Sequence, residues 1–158
     1  YNRKLEKDFA AQKNSVIEKS GGDYIFHIDA DEYPNEILIQ QLKQILEIND
    51  VDLIWIPRVN TVEGFTEDDV RRWNWRVNSK GWVNYPDYQA RVFRNRGDIR
   101  WTRPLHEYIK GCKTYAHLPP HEELSLYHPK TKQKQEQQNK FYMDNFHNDL
   151  LVRKNNGT

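Results

Sequence analysis

Apolar residues recur at helical spacing in three stretches of the chain. Because an amphipathic helix turns one apolar stripe toward the core, the pattern predicts helices over 8–19, 35–48 and 131–154. Asp8 stands where a carboxylate stabilises the start of the first helix. The residues of the three stripes are Phe9, Ala10, Val16 and Ile17, then Leu38, Leu42, Ile45 and Leu46, then Tyr142, Phe146 and Leu150.

Short apolar runs of strand length alternate with these helices. Residues 24–28 and 51–57 are rich in aromatic and β-branched side chains, which predicts two buried strands. Residues 88–94 and 105–111 predict two more. In the 88–94 strand we expect Ala90 and Val92 to point inward, and Arg91 and Arg94 to point outward.

The helix–strand rhythm predicts one layered α/β domain over residues 1–158. The rhythm breaks at residues 58–86, where Trp73, Trp75 and Trp82 lie among charged residues. A long irregular segment in a compact domain is more often functional than filler, so we expect a loop with a binding role. Its aromatic faces can stack on sugar rings, or they fill the core. Trp55, inside a predicted strand, is expected in the core.

The charge balance, the cysteine count and the hydrophobic runs limit the partners and the location that the sequence indicates. Lysine plus arginine number 24 and aspartate plus glutamate 23, so no basic excess indicates a nucleic-acid partner. Cys112 is the single cysteine, which excludes an internal disulfide and favours a reducing, cytoplasmic location. The sequence contains no run of transmembrane length and no signal-peptide pattern, so membrane association is not indicated.

Asp29 and Asp31 follow the predicted strand 24–28 directly. Residues two apart in a strand point the same way, so both carboxylates leave its carboxyl end together, where ligands bind in open α/β sheets. Such a pair suits Mg²⁺ or Mn²⁺. The alternative is a pair of loop residues that cap the next helix. Glu32 is interpreted as a loop contact.

Two histidine motifs follow later in the chain. His106-Glu107 can supply a general base beside a ligand-orienting imidazole, or it is an exposed charged pair at the end of a strand. His128 can complete a carboxylate metal site, or it is a turn residue ahead of Pro129. The residues themselves leave both alternatives open.

The motifs fall in three stretches, which read "DFAAQKNSVIEKSGGDYIFHIDADEYP" (8–34), "PDYQARVFRNRGDIRWTRPLHEYIKG" (86–111) and "YHPKTKQKQEQQNKFYMDN" (127–145). In this order they resemble the family-2 glycosyltransferases of the GT-A fold. The closest likeness is to the subgroup with a D-A-D-E signature, an R-x-F strand, an H-E pair and a later histidine. The resemblance implies a Rossmann-related mixed sheet flanked by helices.

The resemblance also implies an inverting, metal-dependent enzyme. A sugar would pass from a nucleotide-sugar donor to a hydroxyl of a glycan, a lipid-linked acceptor or a protein. Mn²⁺ or Mg²⁺ would bind at Asp29 and Asp31, with His128 as a further ligand; Asp29 would also face the donor. Glu107 would be the catalytic base and His106 would shape its site. Three further residues would approach the donor or acceptor, namely Trp82, Asp87 and Arg91.

Relative to that family, the chain is expected to be a C-terminal portion that lacks a nucleotide-binding strand–helix–strand unit. Two alternatives stay open. One is a non-catalytic sugar-binding or interaction module on a truncated transferase scaffold, which the aromatic loop favours. The other is a phosphatase of the haloacid dehalogenase type, which also places D-x-D after a strand but usually follows it with Thr, Ser or Gly rather than Glu32-Tyr33.

Overall fold

The computed structural model of the protein describes residues 4–155, with side chains for residues 4–145. Within that part of the chain there are four α-helices and eight strands. The helices are α1 (Phe9–Ile17), α2 (Glu36–Ile48), α3 (Glu67–Arg72) and α4 (Lys132–Asn155). The strands are β1 (Tyr24–Phe26), β2 (Tyr33–Pro34), β3 (Leu53–Glu63), β4 (Val83–Arg94), β5 (Arg100–Thr102), β6 (Tyr108–Lys110), β7 (Tyr115–His117) and β8 (Leu126–Thr131).

The first two helices begin at side-chain caps that the sequence supplies. Asp8 caps α1 by accepting a hydrogen bond from the Ala11 amide at 2.8 Å. Asn35 caps α2 by accepting one from the Ile37 amide at 2.9 Å. A cap of this kind satisfies one of the amide groups that a helix leaves unpaired at its start. Both helices therefore form close to where the apolar pattern predicts them.

The apolar stripe of α2 packs as predicted, and that of α1 does so in part. Leu38 is fully buried, and three partly buried residues of α2 pack on the same core cluster, namely Leu42, Ile45 and Leu46. In α1, Ala10 and Ile17 are buried while Val16 is half exposed. The side chains of Phe146 and Leu150, predicted to continue the stripe of the last helix, lie outside the described residues.

The main sheet is mixed, which confirms the predicted α/β class. Its strands run in the order β1-β4-β3-β8-β2, and β7 also pairs with β3. The pairs β1–β4, β3–β4 and β2–β8 are antiparallel, whereas β3 pairs in parallel with β8 and with β7. Strands β5 and β6 form a separate antiparallel pair. The sheet curls and is flanked by helices, as in a GT-A-like fold.

Helices α1 and α2 cover opposite faces of this sheet. Leu53 and Phe93 pack with α1, whereas their neighbours Ile54 and Val92 pack with Leu38 of α2. Successive strand residues point to opposite faces, so β3 and β4 contribute to both apolar clusters. The central strands are therefore buried on both sides, and polar groups on them must be paired within the protein.

The irregular segment predicted over residues 58–86 is shorter at both ends in the structure. Strand β3 continues to Glu63 and β4 already begins at Val83, so only 64–82 connects them, and α3 lies within it. The buried Val59 and Val62 continue β3, but intervening polar residues such as Asn60 conceal the strand pattern in the sequence. The extension matters because it carries Arg58 and Asn60 to the site described below.

Three other strand predictions need correction. Strand β1 ends at Phe26, so residues 27–32 are loop, and the predicted strand 105–111 shortens to Tyr108–Lys110. Arg91 does not point outward: it is 2% exposed. The reason is that β4 is an inner strand covered on both faces, so its side chains are buried on either face, and two carboxylates of the loop 27–32 compensate the charge of Arg91.

None of the helices within the described residues combines the length and the apolar character that a bilayer crossing requires.

Candidate active site

One cavity of about 650 Å³ collects most of the predicted site residues. It opens beside the ends of β1 and β8 and the loop before β6. The predicted residues that line it are Asp29, Asp31, Arg91, His106, Glu107 and His128. They come from four separate parts of the chain, so it is the sheet topology that brings them to one place.

The predicted site residues lie in loops and on one strand around the cavity. The aspartates follow β1 in the loop 27–32, and His128 is a buried residue of β8 rather than a turn residue. His106 and Glu107 lie in the tight connection between β5 and β6, where His106 has a φ of 52°. A positive φ at a residue other than glycine is uncommon and is often found at functional sites.

Asp29 is surrounded by two cationic side chains and an imidazole. Its Oδ2 accepts a hydrogen bond from Arg91 at 2.6 Å, and its Oδ1 lies 3.2 Å from His27 Nε2 and 3.6 Å from Lys13 Nζ. Burial alone would raise the pKa of Asp29, but the His27 hydrogen bond and the charges of Arg91 and Lys13 lower it far below its usual range. Asp29 is therefore ionised throughout the physiological range.

Glu32 makes the predicted loop contact, because its Oε2 accepts a hydrogen bond from the Asp29 amide at 3.3 Å, and it is also the centre of a charge network. Its side chain is fully buried and its Oε1 accepts hydrogen bonds from Arg58 Nη1 at 2.7 Å and Arg91 Nη2 at 2.6 Å. Arg58 also bonds to Asp87 and Arg91 to Asp29. Paired in this way, the buried charges hold the loop 27–32 against β3 and β4.

Asp31 faces His128 across the cavity wall. Asp31 Oδ2 lies 3.4 Å from His128 Nε2 and 3.3 Å from Lys134 Nζ. Burial, with the charges of Arg58 and Lys130, lowers the pKa of His128 to about 4, so its ring is neutral at neutral pH. The site thus presents a carboxylate and a neutral imidazole side by side, both of which are ligands for divalent cations.

Glu107 lines the cavity next to Lys13 of α1. Its Oε1 forms an ion pair with Lys13 Nζ at 2.5 Å. The same ammonium lies 4.3 Å from the ring centroid of Trp101, within cation–π range. Because Lys13 also approaches Asp29, it links the carboxylate predicted as base with the carboxylate predicted to face the donor.

Two predicted binding residues lie apart from this cavity. Trp82 packs edge-on against Tyr85, with Lys80 over its ring. Asp87 lines a smaller neighbouring cavity of about 200 Å³, which shares Arg58 and His128 with the larger one. Asp87 is thus connected to the site through its hydrogen bonds rather than by facing its interior.

The other tryptophans also differ in their placement. Trp55, predicted for the core, is half-buried: it packs against the α1 cluster, stacks on His117 and lines the main cavity. Trp75 lines the smaller cavity, and Trp73 packs against Trp75 with 4.6 Å between ring centroids. Most of the aromatic loop therefore lies beside the main cavity rather than within its wall.

Sequence reasoning missed several residues of the site. Lys13, Arg58, Lys130 and Tyr142 line the main cavity, although none belongs to a recognisable motif. The one signal in the sequence that could have indicated them was the presence of two polar residues, Arg58 and Asn60, in an otherwise apolar stretch. A polar residue that interrupts a buried strand implies a partner inside the protein.

Among the described residues, no three histidine, cysteine or acidic side chains converge closely enough to hold a metal ion on their own. Asp31 and His128 form a two-residue set. The oxygens of Asp29, which are engaged by Arg91, His27 and Lys13, set that carboxylate apart from Asp31.

The fold and the cavity together define an α/β protein with a carboxylate-rich ligand site. The chain belongs to the family described as Glycosyl transferase family 2, whose model matches residues 1–117, and the predicted resemblance is confirmed. This membership supports glycosyltransferase activity, with a nucleotide-sugar donor and an acceptor as partners. No curated protein matched the chain in a sequence comparison.

Proposed function

We propose that this protein is an inverting glycosyltransferase that moves a sugar from a nucleotide-sugar donor to an acceptor hydroxyl on a glycan, a lipid-linked acceptor or a protein. The observation that carries the proposal is the shared cavity of Glu107, Asp29, Asp31 and His128. It provides a carboxylate that can act as base and a carboxylate–imidazole pair that can bind a cation. Direct transfer requires both a base for the acceptor hydroxyl and a group that stabilises the leaving diphosphate.

Glu107 is the general base in this proposal. As the acceptor oxygen forms its bond to the anomeric carbon, its proton passes to the Glu107 carboxylate, and the bond from that carbon to the donor phosphate breaks. A sugar hydroxyl is a weak nucleophile, so a positioned base accelerates its attack. His106, next to Glu107 in the strained connection, shapes the acceptor side.

Asp31 and His128 are the proposed ligands of Mn²⁺ or Mg²⁺, beside Asp29 on the donor side. A two-residue set suits such ions, which commonly bind one or two carboxylates and complete their shell with water and substrate phosphates. When bound, the cation would neutralise negative charge on the diphosphate leaving group. Arg58 and Lys130 line the same cavity and add positive charge toward that group.

Asp29 and Arg91 have a different role from Asp31 in this proposal. Arg91 is buried and holds Asp29 Oδ2 at 2.6 Å, so the Asp29 carboxylate has a fixed position and faces the donor sugar or ribose. Trp82 and Asp87 lie outside the cavity wall, so a contact of either with donor or acceptor would lie at its margin.

A donor-hydrolysis and transfer assay tests the base. UDP-, GDP- and dTDP-sugars are each incubated with the protein, Mn²⁺ and candidate sugar acceptors, and nucleoside diphosphate release and glycoside formation are both measured. We expect Glu107→Gln to retain donor binding and to lose at least about 100-fold in transfer. The exposed Glu123→Gln should behave as wild type. Full transfer by Glu107→Gln would remove Glu107 as the base.

Mn²⁺ binding, followed by the electron paramagnetic resonance signal of the free ion, tests the metal pair. We expect Asp31→Ala to lose Mn²⁺-dependent nucleotide binding, while Asp68→Asn, 88% exposed in its side chain, should leave it unchanged. Sugar binding that is insensitive to a chelator would favour the non-catalytic module instead. Hydrolysis of p-nitrophenyl phosphate without any activity on nucleotide-sugars would favour the phosphatase.

A further inference from the structure

The second ring nitrogen of His128 makes a hydrogen bond inside the sheet. His128 Nδ1 lies 2.8 Å from Asn60 Oδ1. The two residues are directly opposite each other in the parallel pairing of β3 and β8. Because the sheet register fixes both backbones, this contact is part of the fold rather than a chance approach of long side chains.

The orientation of the Asn60 amide is fixed by its other neighbours. Its Nδ2 donates to Asp87 Oδ2 at 2.8 Å and approaches the Val83 carbonyl oxygen at 3.5 Å. Both neighbours accept hydrogen bonds and neither donates one. A flipped amide would set its carbonyl oxygen against a carboxylate, so the oxygen must face His128.

Asp87 is itself held in place. Its Oδ2 also accepts hydrogen bonds from Arg58 Nε at 3.0 Å and Nη2 at 2.6 Å, and its Oδ1 accepts one from Gln89 at 2.9 Å. Arg58 in turn bonds to Glu32 in the network behind the loop 27–32. The amide of Asn60 is therefore anchored to the same charge network that positions Asp29.

We propose that Asn60, anchored by Asp87, is a positioning residue that holds His128 as the Nδ1–H tautomer and so directs the Nε2 lone pair toward Asp31. An amide oxygen at Nδ1 requires a proton on that nitrogen, and a neutral ring then carries its lone pair on Nε2. The inference rests on the proposed metal pair and deepens it, because Asn60 and Asp87 were not among its ligands.

The position of Nε2 explains why the Nδ1–H tautomer would favour cation binding. Nε2 lies 3.4 Å from Asp31 Oδ2, so two electron-rich atoms face each other. Such a pair is suited to share a cation. Without the bond from Nδ1 to Asn60, a proton on Nε2 would be favoured, because Nε2–H could then donate to Asp31. Partners that fix the tautomer of a ligating histidine commonly change metal affinity by 10- to 100-fold.

Asn60 and Asp87 lie apart from the cavity in which the transfer would take place. Asn60 and Asp87 line the smaller cavity, whereas Asp31 and Glu107 line the larger one, and His128 borders both. A substitution at Asn60 therefore changes the support of His128 without altering the wall that faces Glu107. Substitution of Asn60 can therefore test the tautomer of His128 separately from the reaction.

The test is nitrogen-15 NMR of the histidine side chains in the metal-free protein, with His128→Gln to assign the His128 signals. We expect wild type to show a protonated Nδ1 and an unprotonated Nε2. Asn60→Leu, which removes the amide, should transfer the proton to Nε2. Thr61→Val, a similar change at the next residue of β3, should leave the wild-type pattern; Asn60→Ala replaces Asn60→Leu if that variant does not fold.

Mn²⁺ affinity is measured on the same proteins by electron paramagnetic resonance. We expect about 10- to 100-fold weaker binding for Asn60→Leu and no change for Thr61→Val. A protonated Nε2 in wild type, or an unchanged tautomer in both Asn60 variants, would overturn the inference. An Nδ1–H tautomer that depends on Asn60 in a protein that does not bind Mn²⁺ would instead overturn the proposed metal pair.

Discussion

Lys13 forms an ion pair with Glu107, with 2.5 Å between Nζ and Oε1, although the first residue belongs to α1 and the second precedes β6. The same ammonium lies 3.6 Å from Asp29 Oδ1. Only about 12% of the Lys13 side chain is exposed. One buried cation thus links the two carboxylates to which we assign different parts of the transfer.

Replacing Lys13 by Gln should therefore disturb both carboxylates at once. We expect kcat/KM for transfer to fall by about 10-fold or more, because a small displacement of a catalytic group has a large effect on rate. Nucleoside diphosphate release measures the change. Lys43→Gln is the control, since the Lys43 side chain is 90% exposed on α2. Wild-type kcat/KM for Lys13→Gln would show that this ion pair has no part in the reaction.

Glu32→Gln should destabilise the fold. The Glu32 carboxylate is fully buried and joins Arg58 to Arg91, so removing its charge leaves two guanidinium groups short of a partner. We expect a loss of about 3 kcal/mol in the free energy of unfolding, at the low end for broken buried pairs because each arginine keeps a second carboxylate. Urea unfolding measures it. Glu47→Gln, at an exposed ion pair, should change stability by less than about 0.5 kcal/mol.

The stability of the metal-free protein should depend on His128 at mildly acidic pH. Burial and the charges of Arg58 and Lys130 lower the pKa of His128 from 6.5 to about 4. Between these values the unfolded chain binds a proton that the folded protein does not. The contribution of His128 is therefore complete above pH 6.5 and is lost as the pH falls toward 4, up to about 3 kcal/mol.

Urea unfolding of wild type and His128→Gln in the presence of a chelator measures this contribution. We expect the stability of wild type to fall relative to that of the variant between about pH 6.5 and pH 4. His121→Gln, at an exposed position, should follow wild type. Parallel pH profiles for wild type and His128→Gln would mean that the pKa of His128 is not lowered by folding.

Gly111→Ala should be strongly unfavourable. Gly111 has a φ of +90°, and an added Cβ would lie 2.1 Å from the carbonyl oxygen of Asp98. Both the backbone conformation and the space exclude a side chain, so we expect a loss of at least about 2 kcal/mol in the free energy of unfolding. Gly97→Ala is the matched control, because a Cβ there meets nothing within 4 Å. Equal melting temperatures for the two variants would contradict the placement of Gly111.

Sequence patterns predicted those features that depend on neighbours along the chain. The stripe of α2 and the position of Asp8 at the start of α1 were both visible, because helix periodicity and the effect of a carboxylate at a helix start act over a few residues. The order of the motifs was likewise enough to predict the family. The D-A-D stretch was correctly placed after a strand, since residues 29–31 follow β1 within the same segment.

Tertiary structure decided the features that depend on partners distant in sequence. The outward placement predicted for Arg91 failed because the carboxylates that allow its burial, Glu32 and Asp29, lie on another segment. The length of β3 was concealed because Asn60 and Arg58 look unsuited to a buried strand until Asp87 and His128 are opposite them. Burial of a charged or polar group becomes favourable only when its partner is present, and that pairing exists only in the folded sheet.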